Sequence, residues 1–317
     1  MLLRGFLSTL TAAGPPQACW HPGDLTWTVF QNTHFDPREN VRLWEDGEGL
    51  AGFTVIEEPD GVVAQVRPGH RGVLEEPMLR WAAERLAGPK RNPGAEIWTR
   101  ALDSDRSFIA LLDRLGVRCD EDHAVRPRRR LDSPIPEAPP PEGWTVRPVG
   151  GEEEWERRVT LHQEAWSPSR VTLAAYRRLR IAPGYDPDLD LVAAGQDGGF
   201  GSYCICWFDP SSKTSLFEPV GTRADHRRKG LGLAMMLEGL RRLRALGAED
   251  SLVTHAGNNE AAARLYRDRR ASRSWIGSTC TAASWRVSPR CGFAKTALAA
   301  KRVTASRVRV RSGRFCG

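Results

Sequence analysis

Glycines and basic side chains are concentrated in the stretch HRRKGLGLAM at positions 226–235. The apolar residues that follow recur at spacings of three and four from Leu231 to Leu246, which predicts an amphipathic helix. A short predicted strand, SLFEPVGT (215–222), precedes the turn. The turn therefore brings unsatisfied backbone amides and the positive end of a helix dipole close to cationic side chains. This arrangement predicts a pyrophosphate site, because glycine lets a phosphate approach the backbone closely.

Two common phosphate motifs do not fit this turn. A dinucleotide fingerprint requires a third glycine where the chain has Met235, and a P-loop requires Gly-Lys followed by Ser or Thr. The pattern that remains is Arg227-x-x-Gly230-x-Gly232. It resembles motif A of the GNAT superfamily of acyl-CoA-dependent N-acetyltransferases, in which this turn holds the pyrophosphate of coenzyme A. A basic turn that only caps an ordinary helix is the structural alternative.

A second signature follows in SLVTHAGNNEAAARLY (251–266). Residues 251–254 are predicted to form a strand, and Asn258 or Asn259 is a suitable N-cap for the next helix. The order strand, Asn-x-x-Ala-x-x-Leu-Tyr is similar to the second motif of the same superfamily. The resemblance extends from residue 144 to residue 266. It implies an α/β fold with a mixed sheet (α+β) and acetyl-CoA as the co-substrate.

The resemblance also implies which residues contact coenzyme A. The backbone that leads into the turn would pair with the pantetheine arm like an added strand, and the turn and helix start would hold the pyrophosphate. The predicted cofactor-binding residues are Val220, Gly221, Thr222, Arg227, Arg228, Lys229, Gly230, Leu231, Gly232 and Asn258.

Amide formation requires a base and an acid as well. An alkyl ammonium has a pKa near ~10.4 and cannot attack a thioester until it loses a proton. Glu218 is the predicted base, since the superfamily often uses a carboxylate on this strand, directly or through water. Tyr266 stands at the position of the superfamily's general acid, which protonates the thiolate when the tetrahedral intermediate collapses. A surface glutamate and a packing tyrosine are the structural alternatives.

The chain divides into two related halves. Its length of 317 residues predicts two domains, and the proline-rich segment 126–143 is predicted to be an extended linker. Residues 41–117 repeat the strand–turn–helix order of the second half, with His70-Arg71 parallel to His226-Arg227. The first copy is interpreted as degenerate, because its turn has the single glycine Gly72 and Leu112 stands in place of the tyrosine. The predicted domains are 1–125, a degenerate GNAT-like copy, and 144–266, the catalytic copy.

Residues 267–317 form an atypical basic tail. They contain thirteen Lys or Arg and one acid, a net charge of +12, whereas residues 1–266 carry −5. A composition rich in Arg, Ser and Ala is typical of GC-rich DNA translated out of frame, so we hypothesise a shifted reading frame shortly after Tyr266. A natural basic tail is the alternative. The acidic remainder argues against a nucleic-acid partner, although the whole chain carries +7.

The acceptor is predicted to be a primary amine of a small molecule or peptide. Residues 164–190 are expected to form its pocket, and the candidate contacts are Trp166, Tyr176, Tyr185, Asp186 and Asp188. A GNAT-fold regulator that binds coenzyme A without turning over is the alternative function.

The remaining features of the sequence point to a cytoplasmic protein. No apolar run reaches membrane-spanning length, and the N-terminal stretch is a poor secretory signal. The seven cysteines include no CxxC pair, which predicts neither a disulfide framework nor a metal site. We expect a monomer or homodimer.

Overall fold

The computed structural model describes residues 1–14, 18–57, 59–86, 97–267, 280–287 and 309–312. The first half contains α1 (Leu2–Ala12), α2 (Pro22–Phe30), α3 (Pro37–Asn40), β1 (Val41–Asp46), β2 (Gly49–Glu57), β3 (Gly61–Val66), α4 (Glu75–Leu86), β4 (Ile97–Leu102), α5 (Arg106–Arg114), β5 (Arg118–Arg126) and β6 (Arg128–Arg130). The second half contains β7 (Trp144–Pro148), α6 (Glu152–Ala165), α7 (Leu173–Leu179), β8 (Asp190–Gly195), β9 (Phe200–Asp209), β10 (Thr214–Thr222), α8 (Leu231–Ala245), β11 (Asp250–Val253), β12 (His255–Ala256) and α9 (Glu260–Arg267). Two further strands, β13 (Cys280–Val287) and β14 (Arg309–Ser312), follow.

Each half is built on its own mixed sheet. The described strands of the second sheet lie in the order β6-β11-β10-β9-β8-β7, and those of the first in the order β12-β5-β13-β4-β3-β2-β1-β14. Apart from the two-residue strand β12, which joins the first sheet, the element order of the second unit is β-α-α-β-β-β-α-β-α. The amphipathic helix α8 packs the buried side chains Met236, Leu237 and Leu240 against this sheet. The predicted mixed α/β fold is therefore confirmed.

The first unit repeats the central part of this topology. Antiparallel strands β2 and β3 lead through a short 3₁₀ turn into α4, and β4 then pairs parallel with β3. The second unit has the same order in β9, β10, α8 and β11. Two copies of one strand–turn–helix–strand unit therefore lie in tandem.

One antiparallel ladder joins the two sheets. Residues 250–252 of β11 pair with 128–130 of β6 in the second sheet, and residues 255–256 of β12 pair with 124–125 of β5 in the first. The Val253 N–H donates to the Pro127 carbonyl between these stretches, at 3.3 Å. The register is the same on both sides, so each chain segment crosses from one sheet to the other. This ladder fixes the first unit relative to the β11–β12 edge of the second.

The segment predicted as an extended linker, 126–143, packs on the second unit instead. Its residues 128–130 form β6, and the side chains of Leu131 and Ile135 are buried in the core under α8. The local composition gave no sign of this packing, because isolated apolar residues among prolines and arginines show neither helix nor strand periodicity.

Parts of the predicted basic tail lie within the first sheet. Strand β13 pairs antiparallel with both β4 and β5, and β14 pairs antiparallel with β1. Residues 268–279, 288–308 and 313–317 lie outside the described residues. The shifted reading frame stays a prediction.

Helix α2 of the first half lies against the second unit. His21 caps the helix, and its imidazole Nε2 lies 3.4 Å from the Thr214 carbonyl of β10. In α1, the Ser8 hydroxyl donates to Asp209 of β9 at 2.9 Å. The N-terminal helices therefore cover a face of the second sheet. None of the helices in the described ranges is long and apolar enough to cross a membrane.

Candidate active site

A groove opens where β10 and β11 separate. Their parallel ladder runs from Thr214–Asp250 to Phe217–Val253, and beyond it β12 joins the first sheet. Residues 220–222 continue β10 and pair with β9 on their other side. The edge of β10 that faces away from β9 can therefore receive an extended ligand as an added strand.

The glycine-rich turn lies at one end of this groove. Gly230 is the N-cap of α8, with φ +86°, and Arg228 before it has φ +62°. A left-handed backbone at these positions favours glycine and turns the chain sharply into the helix. The start of α8 consequently presents its first amides, its positive dipole end and the guanidinium groups of Arg227 and Arg228 on the same side. This is the geometry of an anion site.

The groove encloses about 700 Å³ and includes most of the residues predicted to bind coenzyme A. Eight of them line it: Val220, Gly221, Thr222, Arg227, Arg228, Gly230, Leu231 and Gly232. Lys229 belongs to the same turn but is not among the lining residues. The wall opposite the turn is formed by α9, through residues such as Ala262 and Leu265.

The two asparagines before α9 have different positions. The Asn259 side chain accepts the Ala262 N–H at 3.0 Å, so Asn259 caps α9, and it also lines the groove. Asn258, the residue predicted to contact coenzyme A, lies on the wall of a second cavity instead. The geometry favours Asn259 for contact with a ligand in the groove. In the motif Asn-x-x-Ala-x-x-Leu-Tyr, the asparagine that is in register with Tyr266 is Asn259.

Tyr266 lines the groove. Its side chain is 6% exposed, and its ring centroid lies 5.6 Å from that of His255. Burial raises the pKa of the Tyr266 hydroxyl, and the Glu218 carboxylate raises it further. The hydroxyl therefore keeps its proton at neutral pH, as a general acid must.

The second cavity lies between the two units and encloses about 500 Å³. Strand β10 contributes Glu218, β12 contributes His255, and the first unit contributes the charged side chains Asp24, Glu57, Arg100 and Arg126. The Arg126 guanidinium pairs with Asp24 at 2.5 Å, and Arg100 lies 3.8 Å from Glu57. Three carboxylates therefore face two guanidinium groups. One further positive charge would complete the balance when all three carboxylates are ionised.

Glu218 stands at an irregularity of β10. The ladder with β9 shifts between Phe217 and Val220, so residues 218–219 form a bulge. A bulge bends the strand and re-aims a side chain, and here Glu218 lines the cavity between the units. Burial and the nearby Asp24 together raise the pKa of the Glu218 carboxyl to about 8, against the opposing effect of Arg126. The ionised form of a carboxyl group with a pKa in this range, which becomes more populated as pH rises towards 8, can take a proton from an ammonium.

Trp166 connects the groove and the cavity. It follows α6, lines both spaces and is 51% exposed. Among the acceptor contacts expected in residues 164–190, it alone lines the cavity between the units. Tyr176 and Tyr185 both donate to Asp190, at 2.7 and 2.9 Å, and pack inside the second unit. A buried ion pair between Arg158 and Asp190 organises that cluster, so its role is structural.

The corresponding turn in the first unit is filled by its own side chains. The Gly72 N–H donates to the Glu75 carboxylate at 2.7 Å, at the start of α4. Arg71, the counterpart of Arg227, forms an ion pair with Asp105, which caps α5. The space beside them is only about 20 Å³. An internal carboxylate therefore contacts the turn of the first copy, whereas the corresponding turn of the second copy opens onto the groove. That the first copy is degenerate stays a prediction.

The charged residues of the first unit were not found by sequence reasoning. Asp24, Glu57, Arg100 and Arg126 come from four separate elements, and their contact depends on pairing between the two sheets. No local motif marks them. His226 and His255 each have a local partner, the Asp225 carboxylate and the Ala256 carbonyl respectively.

Comparisons with known proteins agree with this geometry. Residues 153–270 match the Acetyltransferase (GNAT) family. A mycothiol acetyltransferase from Nocardiopsis dassonvillei is 30% identical over 277 residues, which cover 75% of this chain and 81% of the relative. A mycothiol acetyltransferase from Actinosynnema mirum is 31% identical over 229 residues, with 69% and 74% covered.

Two solved structures share the fold over nearly their whole length. A GCN5-related N-acetyltransferase from Sphaerobacter thermophilus has a TM-score of 0.62 at 20% identity, with 91% of this chain and 92% of that chain covered. A tandem GNAT protein from the clavulanic acid biosynthesis pathway also has a TM-score of 0.62, at 14% identity, with 90% and 93% covered. The sequence relationship to the mycothiol acetyltransferases and the shared tandem fold show that this chain belongs to the GNAT family and is an N-acetyltransferase of the tandem type.

Proposed function

We propose that the second unit transfers an acetyl group from acetyl-CoA to a primary amine that is bound in the cavity between the two units. The observation that carries this proposal is the junction of two spaces at Trp166. The groove beside it has the anion site at Gly230, and the cavity beside it has the carboxyl group of Glu218. Acetyl-CoA in the groove would bring its thioester to the junction, and an amine in the cavity would approach that thioester from the other side.

The residues of the groove divide the binding of acetyl-CoA between them. The amides at the start of α8 and the guanidinium groups of Arg227 and Arg228 would hold the pyrophosphate. The free edge of residues 220–222 would pair with the amides of the pantetheine arm. One of these backbone N–H groups could also hold the thioester oxygen as negative charge develops on it.

Two side chains at the junction have the properties that proton transfer requires. Glu218, whose pKa is raised to about 8, would accept a proton from the ammonium group of the acceptor. The neutral amine would then attack the thioester carbonyl directly, and the C–S bond of the tetrahedral intermediate would break. Tyr266 would donate its proton to the departing thiolate, and the proton that the new amide nitrogen loses would return to the tyrosinate. The Glu218 carboxylate raises the pKa of the Tyr266 hydroxyl, so the two groups are close enough to interact electrostatically.

The charge of the cavity supports a cationic acceptor. When Asp24, Glu57 and Glu218 are all ionised, they outnumber the arginines by one, so a single bound ammonium would neutralise the site and favour the ionised form of Glu218. The relatives are named mycothiol acetyltransferases, which makes the amine form of mycothiol, without its acetyl group, the first acceptor to test. Glycinamide and cadaverine are suitable comparison amines, because they share the ammonium but not the larger body.

The test is acetyl transfer measured by mass spectrometry, with acetyl-CoA and each amine in separate reactions. We expect acetylated product with the wild-type protein and a loss of roughly 10²- to 10³-fold in Glu218→Gln. Glu249→Gln is the matched control, since Glu249 is exposed and pairs with Lys213 far from the junction. Binding of acetyl-CoA without product from any amine would favour a regulatory protein instead. Full activity in Glu218→Gln would remove the role of Glu218.

A further inference from the structure

The backbone carbonyl of Glu218 has a side-chain partner on the neighbouring strand. The indole N–H of Trp207, on β9, donates to this carbonyl at 2.6 Å. Trp207 is 1% exposed and is among the largest fully buried side chains of the described residues. Its ring therefore has a fixed position, and so does the atom that it holds.

This contact replaces a ladder hydrogen bond at the bulge. Phe217 pairs with Cys206 and Val220 pairs with Cys204, so Glu218 and Pro219 share one partner position on β9. A carbonyl in such a bulge loses its regular backbone partner, and a buried carbonyl without a donor destabilises the fold. The Trp207 indole supplies that donor. It thereby stabilises the bulge that turns the Glu218 side chain towards the cavity.

Helix α2 fixes the other side of the indole. An ideal Cβ at Gly23 would lie 2.5 Å from Cγ of Trp207, so the helix backbone touches the ring at its base. The next residue of the same helix, Asp24, faces the cavity and acts on Glu218 electrostatically. Helix α2 therefore acts on Glu218 in two ways. Gly23 contacts Trp207, which holds the Glu218 backbone, and Asp24 raises the pKa of the Glu218 carboxyl group.

We propose that Trp207 is a positioning residue for Glu218: seated against Gly23, its indole N–H holds the Glu218 carbonyl so that the carboxyl group faces the cavity between the units. The inference rests on the proposed function only where it concerns acetyl transfer, because the effect of Trp207 on catalysis requires that Glu218 act as the base. The position of the carboxyl group can be tested without any acceptor, because the cavity changes how that group titrates.

The environment of the Glu218 carboxyl includes charges from several elements. Asp24 of α2 and Glu57 of β2 raise its pKa, while Arg126 of β5 and Arg100 of β4 lower it. Since the folded pKa of about 8 lies above the ordinary value of 4.5, the folded protein holds a proton that the unfolded chain has lost between these values. Folded stability therefore falls as pH rises from about 4.5 through about 8. Glu218→Gln lacks this contribution.

The experiment compares thermal unfolding midpoints from pH 4 to pH 9. The difference between wild type and Glu218→Gln isolates the titration of Glu218, and the same difference is measured in a Trp207→Phe background. Phenylalanine keeps the ring and removes the N–H. We expect the pH at which the difference levels off to move down by about one unit or more, because a displaced carboxyl group reaches solvent. Trp44→Phe is the control, since Trp44 is also buried and donates to Thr54 at 3.2 Å in the first sheet.

An unchanged difference curve in the Trp207→Phe background would overturn the proposal, even if that variant is less stable at every pH. If Trp207→Phe does not fold, Gly23→Ala displaces the same indole and gives the same comparison. An equal shift of the curve in Trp44→Phe would also overturn it, because the effect would not be local. Failure of the proposed function has a different signature, namely full acetyl transfer by Glu218→Gln.

Discussion

Replacement of Gly230 by alanine should weaken coenzyme A binding while the same change at Gly72 should not. Both glycines have a left-handed backbone, with φ +86° at Gly230 and φ +77° at Gly72. A side chain in this conformation costs about 1–2 kcal/mol of folded stability at either site. A Cβ at Gly230 would lie 3.6 Å from Cγ of Pro141, so it fits the protein itself, and a Cβ at Gly72 meets nothing within 4 Å. The two variants are therefore matched in strain.

The variants differ in what their amides can bind. Gly230 lines the groove, and a methyl group there would keep a phosphate from the backbone, which removes at least one hydrogen bond to a charged group. Such a bond contributes about 1.5–3 kcal/mol, which corresponds to about 10- to 150-fold in the dissociation constant. The Gly72 N–H already donates to Glu75, so no ligand contact is lost there.

Calorimetric titration with coenzyme A measures both effects, and thermal unfolding checks that the two variants lose similar stability. We expect one site per chain in wild type and in Gly72→Ala, with affinities within about twofold. Two sites in wild type, or similar losses of affinity in both variants, would show that the first unit also binds coenzyme A. An unchanged affinity for coenzyme A in Gly230→Ala would show that the turn at Gly230 does not bind the pyrophosphate.

Other predictions concern the junction, the start of α9 and the tail. Glu218→Gln should lose the rise of kcat/KM with pH near 8 that wild type shows, because only the ionised carboxylate accepts a proton; a pH–rate profile of each protein measures this. Tyr266→Phe should lower kcat by about 10²-fold and leave the KM for acetyl-CoA nearly unchanged, since the buried hydroxyl stays protonated and acts only on the leaving group. Equal losses in kcat and in acetyl-CoA affinity would point to a packing role. Asn259→Ala should cost about 1 kcal/mol of stability in denaturant unfolding through loss of the helix cap, whereas Asn258→Ala should cost less than half of that. Resequencing of the gene should show that a neighbouring frame after the Tyr266 codon encodes Gly-Phe and an alternating strand pattern; its absence would reject the frame-shift hypothesis.

The local features of the second unit could be predicted from the sequence because each has a short-range cause. The spacing of apolar residues predicts a helix that begins at Leu231, and the structure has α8 there. Gly230 forms the turn at its start. Glu218 and Tyr266 follow from the resemblance, and in the structure Tyr266 lines the groove while Glu218 lines the neighbouring cavity. Their catalytic roles stay predictions.

The acceptor side could not be predicted in the same way. The cavity depends on the ladder between residues 124–130 and 250–256, which are far apart in the chain and carry no pairing signal. Tyr176 and Tyr185 are of the residue type expected in an acceptor pocket. Both hydroxyl groups instead donate to the buried Asp190 carboxylate in the core. A buried charge must be paired and hydrogen-bonded, and this requirement is visible only once Arg158 and Asp190 are seen together.

The most direct test of the central claim is a crystal structure of the protein with acetyl-CoA bound. We expect one molecule per chain, with its pyrophosphate on the amides at Gly230 and its thioester beside Trp166, between Glu218 and Tyr266. A pyrophosphate on the Gly72 turn, or a thioester that is remote from Glu218, would contradict this expectation.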